Sequence, residues 1–222
     1  MSKFSVAIDG PAGAGKSSIA KKIASRLKCI YVDTGAMYRT VGYYCINNNI
    51  DYNDEMEVEK ICNKINLSLT LEGGVQQVFL NEVNVSDAIR STEASMAASK
   101  VATYKVVRES LVKKQQQIAD KQSLVMDGRD IGTVVLPDAT LKIFLVATVD
   151  ERANRRYKEY LIKGENPCFE KLKKEIQDRD LQDSNRKISP LKKAEDAVEI
   201  DTTNMSIDQV VETIVSILKD KI

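Results

Sequence analysis

Short apolar runs alternate with amphipathic stretches along most of the chain. Phe4–Asp9 (FSVAID) is a compact apolar run ending in Asp-Gly, the pattern of a buried strand. In Lys16–Lys28 the residues Ile19, Ala20, Ile23, Ala24 and Leu27 fall on one helical face, which predicts an amphipathic helix. Ile30–Val32, Leu124–Asp127 (LVMD), Leu141–Val146 (LKIFLV) and Val198–Asp201 (VEID) are further short apolar runs, separated by helical patterns. Strands alternating with helices predict an α/β fold, a parallel sheet with helices on both faces. The last helix is marked by a capping box, Ser206 with Gln209, and by the stripe Ile207, Val210, Val211, Ile214 and Leu218.

One segment breaks this rhythm. Leu67, Leu69 and Leu71 alternate with polar residues; Glu72-Gly73-Gly74 follows, then Val75, Val78, Leu80, Val83 and Val85. Two or three antiparallel strands with a Gly-Gly turn fit this pattern. They form either a small inserted lobe or a hairpin at the edge of the main sheet. The long helical stretch before the next parallel strand, at about residue 120, favours the lobe.

Composition narrows the chemistry. The chain has 222 residues, 43% hydrophobic and 29% charged, the balance of a folded globular protein. It contains no histidine. That excludes a Ser-His-Asp triad, a Cys-His protease and a His-ligated zinc site. The net charge is +1, and the basic residues around 152–174 and 179–193 are interleaved with acids. Local anion recognition suits this better than a duplex-binding face. The four cysteines (Cys29, Cys45, Cys62, Cys168) are widely spaced without a CxxC, as for reduced thiols in a cytoplasmic protein. The N-terminal apolar run is too short for a signal peptide or a span, and no later stretch is long enough. We expect a cytoplasmic monomer with small nucleotides as partners, and neither nucleic acid nor membrane.

Gly10-Pro11-Ala12-Gly13-Ala14-Gly15-Lys16-Ser17 matches GxxxxGK[ST], and Ser18 follows. The motif lies between a predicted strand and a predicted helix, where a phosphate loop has to be. Backbone amides of such a loop and the helix N-terminus hold phosphate oxygens. Lys16 would reach the β- and γ-phosphates and Ser17 would hold Mg²⁺. The loop predicts binding of ATP or GTP. The GTPase motif NKxD is absent, since Asn63-Lys64-Ile65-Asn66 ends in Asn. The Asp-Glu ending of transport ATPases is absent too, since Leu124–Asp127 continues as Asp127-Gly128-Arg129-Asp130. Small size and scattered arginines favour a kinase for a small anionic acceptor over a nucleotide switch.

Candidate acceptor groups lie on separate segments. Arg39 ends Asp33-Thr34-Gly35-Ala36-Met37-Tyr38-Arg39, and a guanidinium binds phosphate bidentately. Arg129 and Asp130 follow a buried strand, where ligands of such sheets bind; a structural salt bridge is the other reading. Arg179, Asp183 and Arg186 share one face at i, i+4, i+7 spacing, as would a solvated charged face. Arg152, Arg155 and Arg156 open a helix after Leu141–Val146, placed to close over the phosphate or to serve as surface charge. Phosphoryl transfer needs such cations more than it needs a base.

The combination of IDGPAGAGKSS (Ile8–Ser18), DTGAMYR (Asp33–Arg39), Ala97–Arg108, DGRDIGT (Asp127–Thr133), KIFLVA (Lys142–Ala147), RDxxDxxR (Arg179–Arg186), SPL (Ser189–Leu191) and IDTT (Ile200–Thr203) resembles the bacterial cytidylate kinase, or (d)CMP kinase, family. The likeness runs nearly end to end. It implies phosphorylation of CMP or dCMP by ATP with Mg²⁺, in pyrimidine nucleotide metabolism. It also implies a P-loop NTPase fold: a five-stranded parallel CORE (1–36, 121–150, 190–222), a CMP-binding lobe with a small antiparallel sheet (about 37–120) and a helical LID (about 151–189). By the same resemblance Arg39, Arg129 and Arg186 clamp the CMP phosphate. Thr34, Ser99, Arg108 and Asp130 read cytosine with Tyr38 nearby, and Arg179 and Asp183 touch the ribose. Lys16, Arg129, Arg155, Arg156 and Arg186 act on the transferring phosphate. Two positions depart from the pattern: Thr34 stands where some members have Ser, and Gln182 where some have Arg.

Overall fold

The computed structural model describes residues 3–62, 64–72, 75–162 and 164–222. Five of its strands form one sheet. In chain order β1 is Ser5–Asp9, followed by α1 (Lys16–Leu27), β2 (Ile30–Asp33) and α2 (Thr34–Asn47). Then come α3 (Glu55–Cys62), β3 (Leu67–Glu72), β4 (Val75–Leu80), β5 (Val83–Asn84), α4 (Thr92–Val101), α5 (Lys105–Ala119) and β6 (Leu124–Asp127). The chain finishes with β7 (Leu141–Val146), α6 (Val149–Ile162), α7 (Phe169–Ser184), β8 (Val198–Asp201) and α8 (Ile207–Lys219). The large sheet has the order β2-β6-β1-β7-β8, with every pair parallel.

Period-two alternation explains how the sheet is covered. On one side Val6, Ile8, Val125, Ile143 and Leu145 join α1 and α8 in one core cluster, with Ile19, Ile23, Val211 and Ile214 among its buried members. On the other, Ala7, Val32, Leu124 and Met126 meet Ala119 of α5 and a single π-helical turn at Ile131–Val135. Strands buried on both faces, such as β1 and β6, read as continuous apolar runs, whereas the edge strand β8 buries only Ile200 fully and alternates with exposed Glu199 and Asp201. The α8 capping box is present, with Gln209 N donating to Ser206 Oγ at 3.2 Å and Ser206 N to Gln209 Oε1 at 2.8 Å. Its stripe is shifted: Val215 is buried in it, whereas Ile207 is 43% exposed and lines the large cleft described below.

The inserted segment builds a sheet of its own rather than an edge of the main one, with order β3-β4-β5 and antiparallel pairing. Glu72 faces Val75 across its first turn; Gly73 and Gly74 lie outside the described residues. Asn81 and Glu82 form the second turn, at φ 48° and 71° between the paired Leu80 and Val83. Two positive φ angles are what a two-residue hairpin turn requires. Val78, Leu80 and Val85 pack with Ala36 at the start of α2. A further cluster joins α2, α3, α4 and α5 through Met37, Val41, Val58, Val101 and Leu111. All four cysteines are free thiols, and among the described residues no helix is long and apolar enough to cross a membrane.

Candidate active site

The strand order reverses at β1, which has β6 and β2 on one side and β7 and β8 on the other, so a crevice opens at the carboxyl ends of the strands. Four of the five strands end in an aspartate at that edge, Asp9, Asp33, Asp127 and Asp201, with Asp33 and Asp127 in direct register. A cleft of about 580 Å³ opens there, and Asp33 and Asp127 line it. The phosphate loop lines one part and the arginines of α2, α5, α7 and the β6 turn line another.

Helix α1 begins at Lys16 directly after the loop, and the residue that precedes it, Gly15, has no side chain to cap it. The first-turn amides therefore have no partner within the helix and stay open to an anion. Gly13 and Gly15 take φ of 77° and 83°, the left-handed turn that lets the loop curl back. Lys16 Nζ donates to Pro11 O at 2.6 Å. Burial, reinforced by the nearby Arg129 charge, holds the Lys16 ammonium well below the usual lysine range. An incoming polyphosphate would restore that charge.

Ser17 and Asp127 meet in front of Lys16. The Ser17 hydroxyl donates to Asp127 Oδ2 at 2.9 Å, and the Tyr31 hydroxyl donates to Asp127 Oδ1 at 2.8 Å. Burial, with the Asp33 charge beside it, raises the Asp127 carboxyl to about 6. A carboxylate facing a phosphate-loop hydroxyl, and short of positive charge, suits a divalent cation shared with a nucleotide. Asp127 was read from the sequence only as the end of a strand. The expected marker was Asp-Glu, and the Gly that follows here concealed it.

Gly128 is required for close approach rather than for an unusual backbone angle. A Cβ there would lie 2.6 Å from Ile131 Cδ1 and 2.7 Å from Thr34 Oγ1. The turn it allows is held by Asp9, which accepts from Ile131 N at 2.8 Å and Gly132 N at 2.7 Å. Burial lifts the Asp9 carboxyl to about 6 in spite of those two donors.

Arg129 and Asp130 do not pair with each other. Arg129 Nε donates to Asp183 of α7 at 2.7 Å, whereas Asp130 takes Arg108 of α5 in a buried ion pair. Arg108 Nη1 also donates to Ala102 O at 3.1 Å, and its guanidinium lies 5.5 Å from the centroid of the Tyr38 ring. Asp183 is fully buried and accepts from both Arg129 and Arg186. Burial opposes the Asp183 charge, but Arg129, Arg186 and Arg179 outweigh it and hold the carboxyl below its ordinary range. Arg186 lies beyond the end of α7, whose last residue is Ser184, so the chain turn and not helical spacing brings it to Asp183. Burial, then repulsion from Arg129, pushes Arg179 down to about 10.

The cluster has polar capacity left over. Arg39 Nε, Arg108 Nε, Arg179 Nε, Arg186 Nε and Ser99 Oγ are buried without a partner. Unsatisfied buried donors around a cleft are costly unless a ligand completes them. Thr34 Oγ1 spends its proton on Asp127 O at 2.7 Å, so toward the cleft its hydroxyl can only accept.

The three arginines of α6 have separate fates. Arg152 is buried and spans Ala147 O at 3.0 Å, Ala12 O of the loop at 3.0 Å and Asp180 of α7 at 2.6 Å. It is a strut between the helical hairpin and the phosphate loop. Arg155 is engaged by Glu151 and by the oxygens of Thr202, at 2.6 Å to the carbonyl. Arg156 lies over the Tyr160 ring, 5.6 Å from its centroid. Both line the cleft.

A family model for cytidylate kinase matches residues 6–220. The chain belongs to the cytidylate kinase family. A cytidylate kinase of Listeria innocua is 53% identical over 220 residues, covering 99% of this chain and 98% of its own. One from Leuconostoc mesenteroides is 51% identical over 222 residues, covering 100% and 99%. Among solved structures, a shikimate kinase of Acinetobacter baumannii matches at TM-score 0.50 with 14% identity, covering 100% of this chain and 96% of its own. A gluconokinase of Sinorhizobium meliloti matches at TM-score 0.50 with 12% identity, covering 98% and 92%. Those two likenesses bear on the fold, which this cytidylate kinase family member shares with kinases of quite different acceptors.

Proposed function

We propose that the protein transfers the γ-phosphoryl group of ATP to CMP or dCMP, giving ADP and CDP or dCDP. The carrying observation is that a phosphate loop with an uncapped helix and a cluster of under-satisfied arginines line one cleft. The triphosphate follows Gly10–Ser18 with Lys16 at its reacting end. The donor base takes the outer side, where Ile207, Met205 and Arg155 line the wall. Ser17 and Asp127 are the residues that fit Mg²⁺, which supplies positive charge to the phosphates when bound.

CMP takes the opposite side. Arg39, Arg129 and Arg186 hold its phosphate, while Arg179 and Asp183 lie at the ribose. Its attacking oxygen is already ionised at neutral pH, so no residue has to remove a proton, and a chain without histidine lacks nothing for the step. The cations neutralise charge on the transferring group. The hairpin within 151–189 closes on the lobe of 37–120 over the core formed by 1–36, 121–150 and 190–222, and excludes water from ATP. Gln182 Nε2 of α7 already donates to Ser99 O of α4 at 3.1 Å.

Base choice follows from polarity. Cytosine presents an amine donor where uracil presents a carbonyl. Thr34, Ser99 and Asp130 offer acceptors to that amine, whereas the uracil carbonyl would meet a carboxylate. An ADP-release assay across CMP, dCMP, UMP and AMP tests the reading: CMP and dCMP turn over, and equal rates with UMP or AMP would refute it. Asp130→Asn is expected to lower the CMP-to-UMP ratio of kcat/KM by about 10- to 100-fold, the worth of a hydrogen bond to a charged group. An unchanged ratio would remove Asp130 from base recognition.

A further inference from the structure

We propose that Gln76, on the inserted sheet, is a positioning residue for acceptor binding: it fixes Asp33, which in turn fixes Arg39. The proposal rests on the reading of Arg39 as a contact to the acceptor phosphate.

It starts from a misfit in the pattern. Side chains on a strand alternate between faces, so Gln76, Val78 and Leu80 share one face of β4. Val78 and Leu80 are buried there against the start of α2. An amide in line with two buried aliphatics costs free energy unless a partner meets it. The partner is in the main sheet. Strand β2 is an edge strand, and the Asp33 amide at its end donates to Gln76 Oε1 at 2.8 Å.

Asp33 is the hinge of the arrangement. Its Oδ1 accepts from Ala36 N at 3.0 Å and so caps α2, while its Oδ2 accepts from Arg39 Nη2 at 2.8 Å. Both of those partners lie within six residues. Gln76 is the one hydrogen-bond partner of Asp33, among the described residues, that comes from a distant segment. The Arg39 guanidinium lies across the first turn of α2, with Nη1 only 3.0 Å from where a Cβ on Gly35 would be. Its direction toward the cleft therefore depends on the Asp33 carboxylate, and the Asp33 backbone is tied to the insert by Gln76. The insert thereby sets the geometry of one acceptor-phosphate ligand without touching the acceptor.

The experiment compares Gln76→Met, Gln76→Glu and Arg39→Ala, alone and combined. Gln76→Met keeps the length and loses the acceptor atom; Gln76→Glu keeps the acceptor. Gln76→Met is expected to raise the KM for CMP about 3- to 10-fold, the worth of one hydrogen bond, with kcat and the KM for ATP unchanged. Gln76→Glu should stay closer to wild type. In the Arg39→Ala background Gln76→Met should change the KM for CMP by less than about twofold, because the relay then has no end. An Arg39→Ala enzyme with an unchanged KM for CMP would refute the acceptor reading of Arg39, and the proposal with it. If Arg39→Ala raises that KM while Gln76→Met leaves it unchanged, or raises it equally with and without Arg39, the relay is overturned and the acceptor reading stands.

Discussion

Replacing Lys16 by Ala is expected to lower kcat by about two to three orders of magnitude, the loss seen when one pre-placed electrostatic donor is removed from a transition state. The affinity for CMP should stay close to that of the wild type. The two effects separate because Lys16 belongs to the loop side of the cleft. Among the described residues its side chain hydrogen-bonds Pro11 O, and it meets the acceptor-side Arg129, Asp183 and Arg179 through charge, not through a hydrogen bond. Its loss also costs the fold little. The ammonium is already disfavoured by burial and by Arg129, so the variant gives up a charge that the fold holds at a disadvantage. Steady-state kinetics with calorimetric titration of CMP checks both halves. Near-normal turnover would remove Lys16 from the reaction, and a matching loss of CMP affinity would mean that the loop and the arginine cluster are not independent.

The centre of the large sheet was legible because burial on both faces writes a strand as an almost unbroken apolar run, as in Leu124–Asp127 and in Leu141–Val146 with its single Lys142; the edge strand Val198–Asp201 shows only alternation. The phosphate loop was legible because its chemistry is contiguous. What escaped lies in pairings made by topology. Asp127 faces Ser17 from 110 residues away, and Arg129 finds Asp183 across 54. No spacing along the chain announces either. Arg152, Arg155 and Arg156 look alike in sequence, yet one is a buried strut to Ala12 and the others line the cleft. Helical spacing placed Arg186 on the correct side for a reason the fold does not use, since α7 stops at Ser184. Ile207 sits at the correct interval for the α8 core stripe, but as the first residue of the helix it projects past the core into the cleft. Gln76 carried a signal that was available, a polar residue in phase with Val78 and Leu80, but its partner became visible only once β4 was placed against β2.

The largest effect on stability and acceptor use together is expected at Asp183. The Asp183→Asn variant keeps the volume and removes the anion that Arg129 and Arg186 both pair with directly, leaving them beside Arg179 with only the more distant Asp127, Asp130 and Asp180 as counter-charges. Breaking one partner out of a buried ion pair costs about 3–5 kcal/mol. It also frees two proposed phosphate ligands, and a displacement of about 1 Å can cost about 100-fold in kcat/KM. The pH dependence has a definite sign. The folded Asp183 carboxyl is held below its ordinary value of 3.8. Its contribution is therefore complete above that value and disappears as the pH falls through the lower folded one. Urea unfolding should show a constant gap between wild type and variant from pH 7 down to about pH 5, closing in more acid solution. Phosphate should stabilise the variant more than the wild type, because an anion among the three guanidinium groups replaces what the carboxylate supplied. A variant that matched the wild type in unfolding and in kcat/KM for CMP would show that the arginines do not depend on Asp183. The cluster would then be a set of separate surface charges, not one preorganised anion site.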